Sequence, residues 1–299
     1  MVPMKIVRSR YAGACYGVER ALSLVDDAAD AARVSGAAVH TLGPLIHNPQ
    51  VVGELQRRGV EEVRGVEEVG EGILVIRSHG VAPAAIERAR SRGLQVVDAT
   101  CPHVSKAQAA ARHLREQGCR VVVVGEPGHP EVEGIQAYAG SDAIVVQGPS
   151  DLPAGLVGGG GGRKGVGSED GGGMIGVVVQ TTQTAEVLDA VVEALRGRGI
   201  APVVRNTICF ATRQRQEAAI ELADSVDAMV VVGGRNSGNT TRLAQLCQAV
   251  CPRTHHVENA SELVPAWFEG VSVVGITAGA STPEGQIIAV EQALQCARL

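Results

Sequence analysis

Three of the seven cysteines share one setting. Cys15 in GACYGVERAL, Cys101 in ATCPHVSKAQ and Cys209 in TICFATRQRQ each follow a strand-like run and precede a helical stretch. In QVVDATCPHVSKAQ an apolar strand around Val96 and Val97 gives way to a turn. Pro102 then suits the first helical position, because its missing N–H would be unpaired there anyway, and Cys101 becomes the capping residue. Serine, threonine, aspartate or asparagine would cap better. A thiol held against a helix N-terminus exists more readily as thiolate, the form that attacks carbon or binds metal. The competing reading of Cys101 is a small half-buried side chain filling a gap. An odd number of widely and irregularly spaced cysteines, without a sign of export, argues against a disulfide framework and leaves metal or catalytic use as the leading special explanation.

From Cys15 to Cys101 is 86 positions; from Cys101 to Cys209 is 108, or 89 once the 19-residue glycine-rich stretch 155–173 is discounted. A nearly constant period predicts three α/β units of comparable size, each contributing a cysteine from an equivalent joint. Arranged around a pseudo-threefold axis, like a trefoil, they would bring three thiols to one centre. The other cysteines lack this setting. Cys119 opens the strand CRVVVVG and Cys296 lies near the C-terminus. Cys247 and Cys251 stand four apart on a helix, where an apolar face is commoner than a shared metal.

The elements that would position these residues are legible as runs. GILVIRS, LQVVDA, CRVVVVGE, AIVVQG, MIGVVVQ, AMVVVGG and VSVVGIT read as continuous apolar strands, and VERALSLVDDAADAAR and ATRQRQEAAIELADS as helices. Such alternation predicts an α/β fold with mainly parallel sheets covered on both faces. The expected domains are 15–99, 100–205 and 206–299 together with 1–14. Residues 155–173, GLVGGGGGRKGVGSEDGGG, have no apolar periodicity and read as a flexible surface excursion within the second domain.

In parallel α/β sheets ligands bind beyond the carboxyl ends of the strands. Unusual polar residues gather at those ends: His79 in RSHGV, His129 and Glu131 in GHPEVEG, Thr181 and Thr182 in QTT, Ser237 and Asn239 in GGRNSGNTTRL, and Ser281 in TAGASTPE. His47 precedes a helix that starts at Pro49. Helix starts offer free N–H groups, and neighbouring hydroxyls, amides and imidazoles complete an anion site, with phosphate the natural ligand. Taken singly, Ser237, Asn239 and Ser281 read as helix caps, the histidines as turn residues, and Glu131 and Glu133 as solvated charges. Their shared placement at the same sheet edge as the three cysteines favours a site. His40, His103, His113, His255 and His256 have no such context.

At 299 residues the chain is long enough for two or three domains. A net charge of −5 and the lack of long basic runs argue against nucleic acid or an anionic membrane as partner. MVPMKIVRSR enters a strand-like alternation without a stretch of signal length, and no run reaches a membrane span, so a cytoplasmic protein is expected.

The set GACYGVERAL, LGPLIHNPQVV, RSHGV, DATCPHV, GHPEVEG, QTT, NTICFATRQRQEA, GGRNSGNTTRL and TAGASTPE, in that order over nearly the whole chain, closely resembles the 4-hydroxy-3-methylbut-2-enyl diphosphate reductase family, the last step of the methylerythritol phosphate route to isoprenoids. The resemblance implies a three-domain trefoil-like protein with a central 4Fe-4S cluster on Cys15, Cys101 and Cys209. Three protein ligands would leave one iron open as a Lewis acid toward a substrate hydroxyl. The same resemblance places the allylic diphosphate among His47, His79, His129, Thr181, Thr182, Ser237, Asn239 and Ser281. It makes Glu131 the proton source and Thr181 its relay, and it calls for an external one-electron donor such as ferredoxin or flavodoxin. Two positions depart from the family pattern. Ala14 replaces a common aromatic residue, which alters packing beside Cys15, and Gly238 replaces a serine, which removes one phosphate hydroxyl. The alternatives are a non-catalytic iron–sulfur sensor of a phosphorylated metabolite, a redox-inert hydro-lyase, and a zinc protein using the same thiolates.

Overall fold

The computed structural model describes residues 4–156 and 173–296; residues 157–172 of the glycine-rich stretch and both chain ends lie outside the described residues. The chain alternates strands and helices in the order β1 (Lys5–Arg8), α1 (Tyr16–Ser35), β2 (Val39–Leu42), α2 (Pro49–Arg57), β3 (Val60–Val63), β4 (Ile73–Ile76), α3 (Pro83–Ser91), β5 (Gln95–Asp98) and α4 (Pro102–Glu116). It continues through β6 (Arg120–Val124), α5 (Pro130–Ala139), β7 (Ile144–Val146), β8 (Ile175–Val179), α6 (Ala185–Gly197), β9 (Val203–Arg205) and α7 (Phe210–Ala223). The last elements are β10 (Ala228–Val232), α8 (Gly238–Val250), β11 (Thr254–Val257), β12 (Val273–Ala278) and α9 (Glu284–Cys296).

These strands form three four-stranded sheets, ordered β3-β2-β4-β5, β7-β6-β8-β9 and β11-β10-β12-β1. The orders are one pattern repeated: counting along each sheet's own strands, the second lies beside the first, then the third, then the fourth. In the last sheet the fourth strand is β1, supplied by the N-terminal segment. The pairings of β2 with β4, β4 with β5, β6 with β7 and β8, and β8 with β9 are parallel, as are those of β12 with β1 and β10 and of β10 with β11. The expected α/β class with parallel sheets is therefore the observed one, in three units of four strands each.

Most central strands are apolar. The runs ILVI of β4, IGVVV of β8 and AMVVV of β10 are buried along their whole length, as strands covered on both faces must be. Within β6, Val122 and Val124 join one apolar cluster with Leu188 and Leu195 of α6, while Val121 and Val123 join another with Leu114 of α4 and Ile135 of α5. β10 divides likewise: Val230 and Val232 pack with Ile287 and Val290 of α9, Met229 and Val231 with Leu243 of α8. Branched side chains suit this pleated, two-sided packing.

The chain divides into two compact units. The first comprises Met1–Ser23, Pro44–Glu61 and Phe210–Leu299 and holds the β11-β10-β12-β1 sheet with α2; the second comprises Leu24–Gly43 and Glu62–Cys209 and holds β2, β4, β5 and the β7-β6-β8-β9 sheet. Among the described residues no helix is long and apolar enough to cross a membrane.

Candidate functional site

The repeated strand order sorts the chemically suggestive residues. After the first strand of each sheet come His47, then His129 and Glu131, then Ser237 and Asn239. After the third come His79, then Thr181 and Thr182, then Ser281, and after the fourth come Cys101, Cys209 and Cys15. The first and third strands are neighbours at the point where the winding reverses, the place where doubly wound sheets bind ligands. Each cysteine is also tied by the same backbone bond to the loop after the third strand. Cys15 N–H donates to Ala280 O at 3.1 Å, Cys101 N–H to Ser78 O at 2.9 Å and Cys209 N–H to Thr181 O at 3.0 Å. The equivalence read from sequence spacing is thus an equivalence of topology and of hydrogen bonding.

In the unit that holds β6–β9, His129 caps α5: its Nδ1 accepts from the Glu131 N–H at 3.1 Å. A neutral ring accepting at Nδ1 carries its hydrogen on Nε2, which becomes a donor. The His79 ring meets the His129 ring edge to face, centroids 5.7 Å apart. His79 sits in a turn closed by Gly80 at φ +70°, a left-handed conformation that glycine adopts without steric cost. Glu131, in the first turn of α5, is 2 % exposed. Its Oε1 accepts from the Thr181 N–H at 2.6 Å and its Oε2 from the Thr181 hydroxyl at 3.0 Å. Burial pushes this carboxyl up to about 7; the two bonds from Thr181 pull it down, and the nearby Glu126 charge adds a smaller upward push. Thr182, next to Thr181, is partly exposed.

In the unit that holds β1 and β10–β12, Ser237 caps α8, its Oγ accepting from the Thr240 N–H at 3.3 Å, so its structural reading holds as well. Asn239, the second residue of that helix, is buried, and its Nδ2 has no hydrogen-bond partner among the described residues. A buried donor left unsatisfied costs about 1–3 kcal/mol, so an acceptor oxygen from a ligand fits there. Ser281 lies in the loop between β12 and α9, and its carbonyl accepts from Asn48 Nδ2 at 2.9 Å. Buried His47 precedes Asn48, the N-cap of α2, and Pro49 opens that helix as expected.

Cys15 and Cys101 are partly exposed and Cys209 is buried; none of the three is in a disulfide. Cys101 occupies the N-cap of α4 without a side-chain capping bond. Beside Cys15 a cavity of about 280 Å³ is lined by Tyr11, Tyr16, Gln214 and Arg215. Among the described residues, no three His, Cys, Asp or Glu side chains form a metal cage by themselves. The fit to an iron–sulfur group rests instead on the donor set: three thiols outside any disulfide, at equivalent helix starts, of the ligand type such clusters require. The remaining cysteines differ. Cys247 and Cys251 pack with Leu243 and Met229, and burial lifts the Cys247 thiol to about 12; burial also raises Cys119. Cys296 is exposed.

Two residues near the cysteines and polar loops escape sequence reasoning. Arg215 of α7 is 4 % exposed and donates from Nη2 to Gly13 O at 2.7 Å, two residues before Cys15. Asn48 carries a capping signal, asparagine before a helix-opening proline, but no signal for its bond to Ser281.

The model of the LytB protein family matches residues 6–295. Among curated relatives, the 4-hydroxy-3-methylbut-2-enyl diphosphate reductase of Geotalea uraniireducens is 47 % identical over 281 residues, covering 94 % of this chain and 93 % of the relative. The enzyme of the same name from Geobacter sulfurreducens is 46 % identical over 292 residues, covering 98 % and 97 %. A solved structure of (E)-4-hydroxy-3-methyl-but-2-enyl diphosphate reductase, described as the terminal enzyme of the non-mevalonate pathway, is 42 % identical with a TM-score of 0.66 and covers 99 % of both chains. The corresponding reductase structure from Plasmodium falciparum, 23 % identical, shares the fold with a TM-score of 0.84 over 97 % of this chain and 87 % of that one.

Proposed function

The chain belongs to the LytB protein family, and we propose that it reductively removes the hydroxyl of 4-hydroxy-3-methylbut-2-enyl diphosphate to give isopentenyl and dimethylallyl diphosphate. The observation that carries this reading is the buried Glu131–Thr181 pair, a carboxyl with a pKa near 7 bonded through Thr181 to the backbone of Cys209. Cys15, Cys101 and Cys209 hold a 4Fe-4S cluster, one from each of three domains, 15–99, 100–205 and 206–299 with 1–14. Bound there, the cluster supplies electrons one at a time and an iron with an open coordination position.

The chain's own residues do the rest. His47, His79, His129, Thr182, Ser237, Asn239 and Ser281 hold the diphosphate: His129 through its Nε2–H, Asn239 through its spare Nδ2 donor, and the start of α8 through its backbone N–H groups. Glu131, about half of it protonated at neutral pH, gives its proton to the leaving hydroxyl, which departs as water; Thr181 orients the carboxyl. Two electrons and two protons enter for each hydroxyl lost, and the second proton goes to carbon at either end of the allyl group, hence two products. The electrons come from a donor such as ferredoxin or flavodoxin, and the protein works in the cytoplasm without nucleic acid or membrane.

The non-catalytic sensor reading has no support, since the relatives named above are reductases. Protein purified without oxygen, assayed with the allylic diphosphate and a low-potential reductant, tests the proposal. Reductant-dependent formation of both isomers is expected. A protein that carries iron and sulfide but leaves the substrate unchanged overturns it, and one that carries zinc in their place does so too.

A further inference from the structure

Asn48 is 1 % exposed, yet both faces of its amide are in use. Its Oδ1 accepts from the N–H groups of Gln50 at 3.1 Å and Val51 at 3.2 Å and so caps α2. Its Nδ2 spends both hydrogens elsewhere: on Ser281 O at 2.9 Å and on Gln286 Oε1 of α9 at 2.9 Å. Gln286 passes the contact on, donating from Nε2 to Glu258 O at 2.6 Å. The amide can point only one way, because its oxygen faces two backbone donors. All of these residues belong to the same compact unit.

We propose that Asn48 is a positioning residue that holds the His47 segment and the Ser281 loop in register and thereby sets the affinity for the substrate diphosphate. The inference rests on the reading of His47 and Ser281 as diphosphate-binding residues. Asn48 adjoins His47 in the chain and bonds the backbone of Ser281 itself, although 233 positions separate the two partners. A cap alone would not select asparagine, since serine, threonine and aspartate cap as well. What asparagine adds is two donors on the far side of the cap, and a displaced loop would carry the Ser281 hydroxyl with it.

The test uses holoenzyme, with KM and kcat for the allylic diphosphate and the calorimetric Kd of isopentenyl diphosphate. Asn48→Ser keeps the cap, stays neutral and loses both donors. Its KM and Kd are expected to rise about tenfold, the effect of two lost hydrogen bonds, while kcat stays within about twofold. Asn48→Ala, which also loses the cap, should melt at a lower temperature than Asn48→Ser yet show the same affinity. Gln286→Leu breaks the tie from α9 and should fall between wild type and Asn48→Ser; it carries the test if the Asn48 variants do not fold. Wild-type KM and Kd in folded Asn48→Ser, or in Gln286→Leu alone, overturn the inference, as does an affinity that follows the cap rather than the donors. A wild-type enzyme that binds no isopentenyl diphosphate instead removes the reading of the site on which the inference stands.

Discussion

Thr181 grips both oxygens of Glu131: its N–H donates to Oε1 at 2.6 Å and its hydroxyl meets Oε2 at 3.0 Å. An amide N–H can only donate, so Oε1 is held as an acceptor. The Thr181 carbonyl in turn accepts from the N–H of Cys209 at 3.0 Å. A proton-holding carboxyl and a cysteine of the repeated joint are therefore fastened to opposite sides of one residue.

Turnover should follow the protonated fraction of Glu131. Burial, outweighing the two bonds from Thr181, places its pKa at about 7. Above that pH kcat is expected to fall about tenfold per unit, with no matching loss in Glu131→Gln, whose residual rate has no such group to titrate. A pH–rate profile of both proteins under saturating substrate and reductant reads this out.

The same shift has a stability sign. A carboxyl whose pKa is about 7 in the fold and near 4.5 unfolded keeps its proton in the native state where the unfolded chain has lost it. Its contribution is full below about pH 4.5 and is lost as pH rises through 7, a change on the order of 3 kcal/mol. Denaturant midpoints of cluster-free protein should therefore drop between pH 5 and pH 8 more for wild type than for Glu131→Gln.

Thr181→Val keeps the backbone N–H and removes the hydroxyl. Since that hydroxyl lowers the Glu131 pKa, the alkaline limb of the pH–rate profile should move to higher pH. With Oε2 no longer oriented, kcat should fall about tenfold, less than the roughly 10²- to 10⁴-fold loss expected when the acid itself is removed. An alkaline limb that stays in place would separate Thr181 from the proton.

Cys15→Ser, Cys101→Ser and Cys209→Ser should each lose iron, sulfide and the visible absorbance of the cluster. Cys119→Ser and Cys247→Ser should keep all three, because both thiols are buried in apolar clusters. Iron content of the five purified proteins checks the assignment, and full loading of Cys209→Ser would sink it.

Most central strands could be read from the chain, because branched apolar runs such as RVVVV and AMVVV have few other uses, whereas VHTL of β2 is interrupted by His40 and Thr41. Edge strands divide: β5 and β7 lie in the runs LQVVDA and AIVVQG, whereas VEEV of β3, VVR of β9 and THHV of β11 are short, polar or half exposed and carry no run to recognise. Cys119, expected to open a strand, lies buried just before β6, which starts at Arg120. The equivalence of Cys15, Cys101 and Cys209 was legible as spacing, since a repeated unit places its joints at a repeated distance. The Arg215–Gly13 and Asn48–Ser281 bonds were not, because pairings across 202 and 233 positions leave no periodic trace. The elevated pKa of Glu131 was likewise expected only from the resemblance; HPEVEG by itself reads as loop charge, and it is the packing around α5 that removes water from the carboxyl.

The most direct test of Glu131 as proton source is the turnover of Glu131→Gln under saturating substrate and reductant. Glutamine keeps the size and can still accept from the Thr181 N–H, so the diphosphate should bind and substrate-induced changes in the cluster spectrum should persist. What disappears is the transferable proton, and kcat should fall about 10²- to 10⁴-fold. Wild-type turnover in a cluster-loaded Glu131→Gln enzyme would contradict the account, because the proton would then have to come from another group.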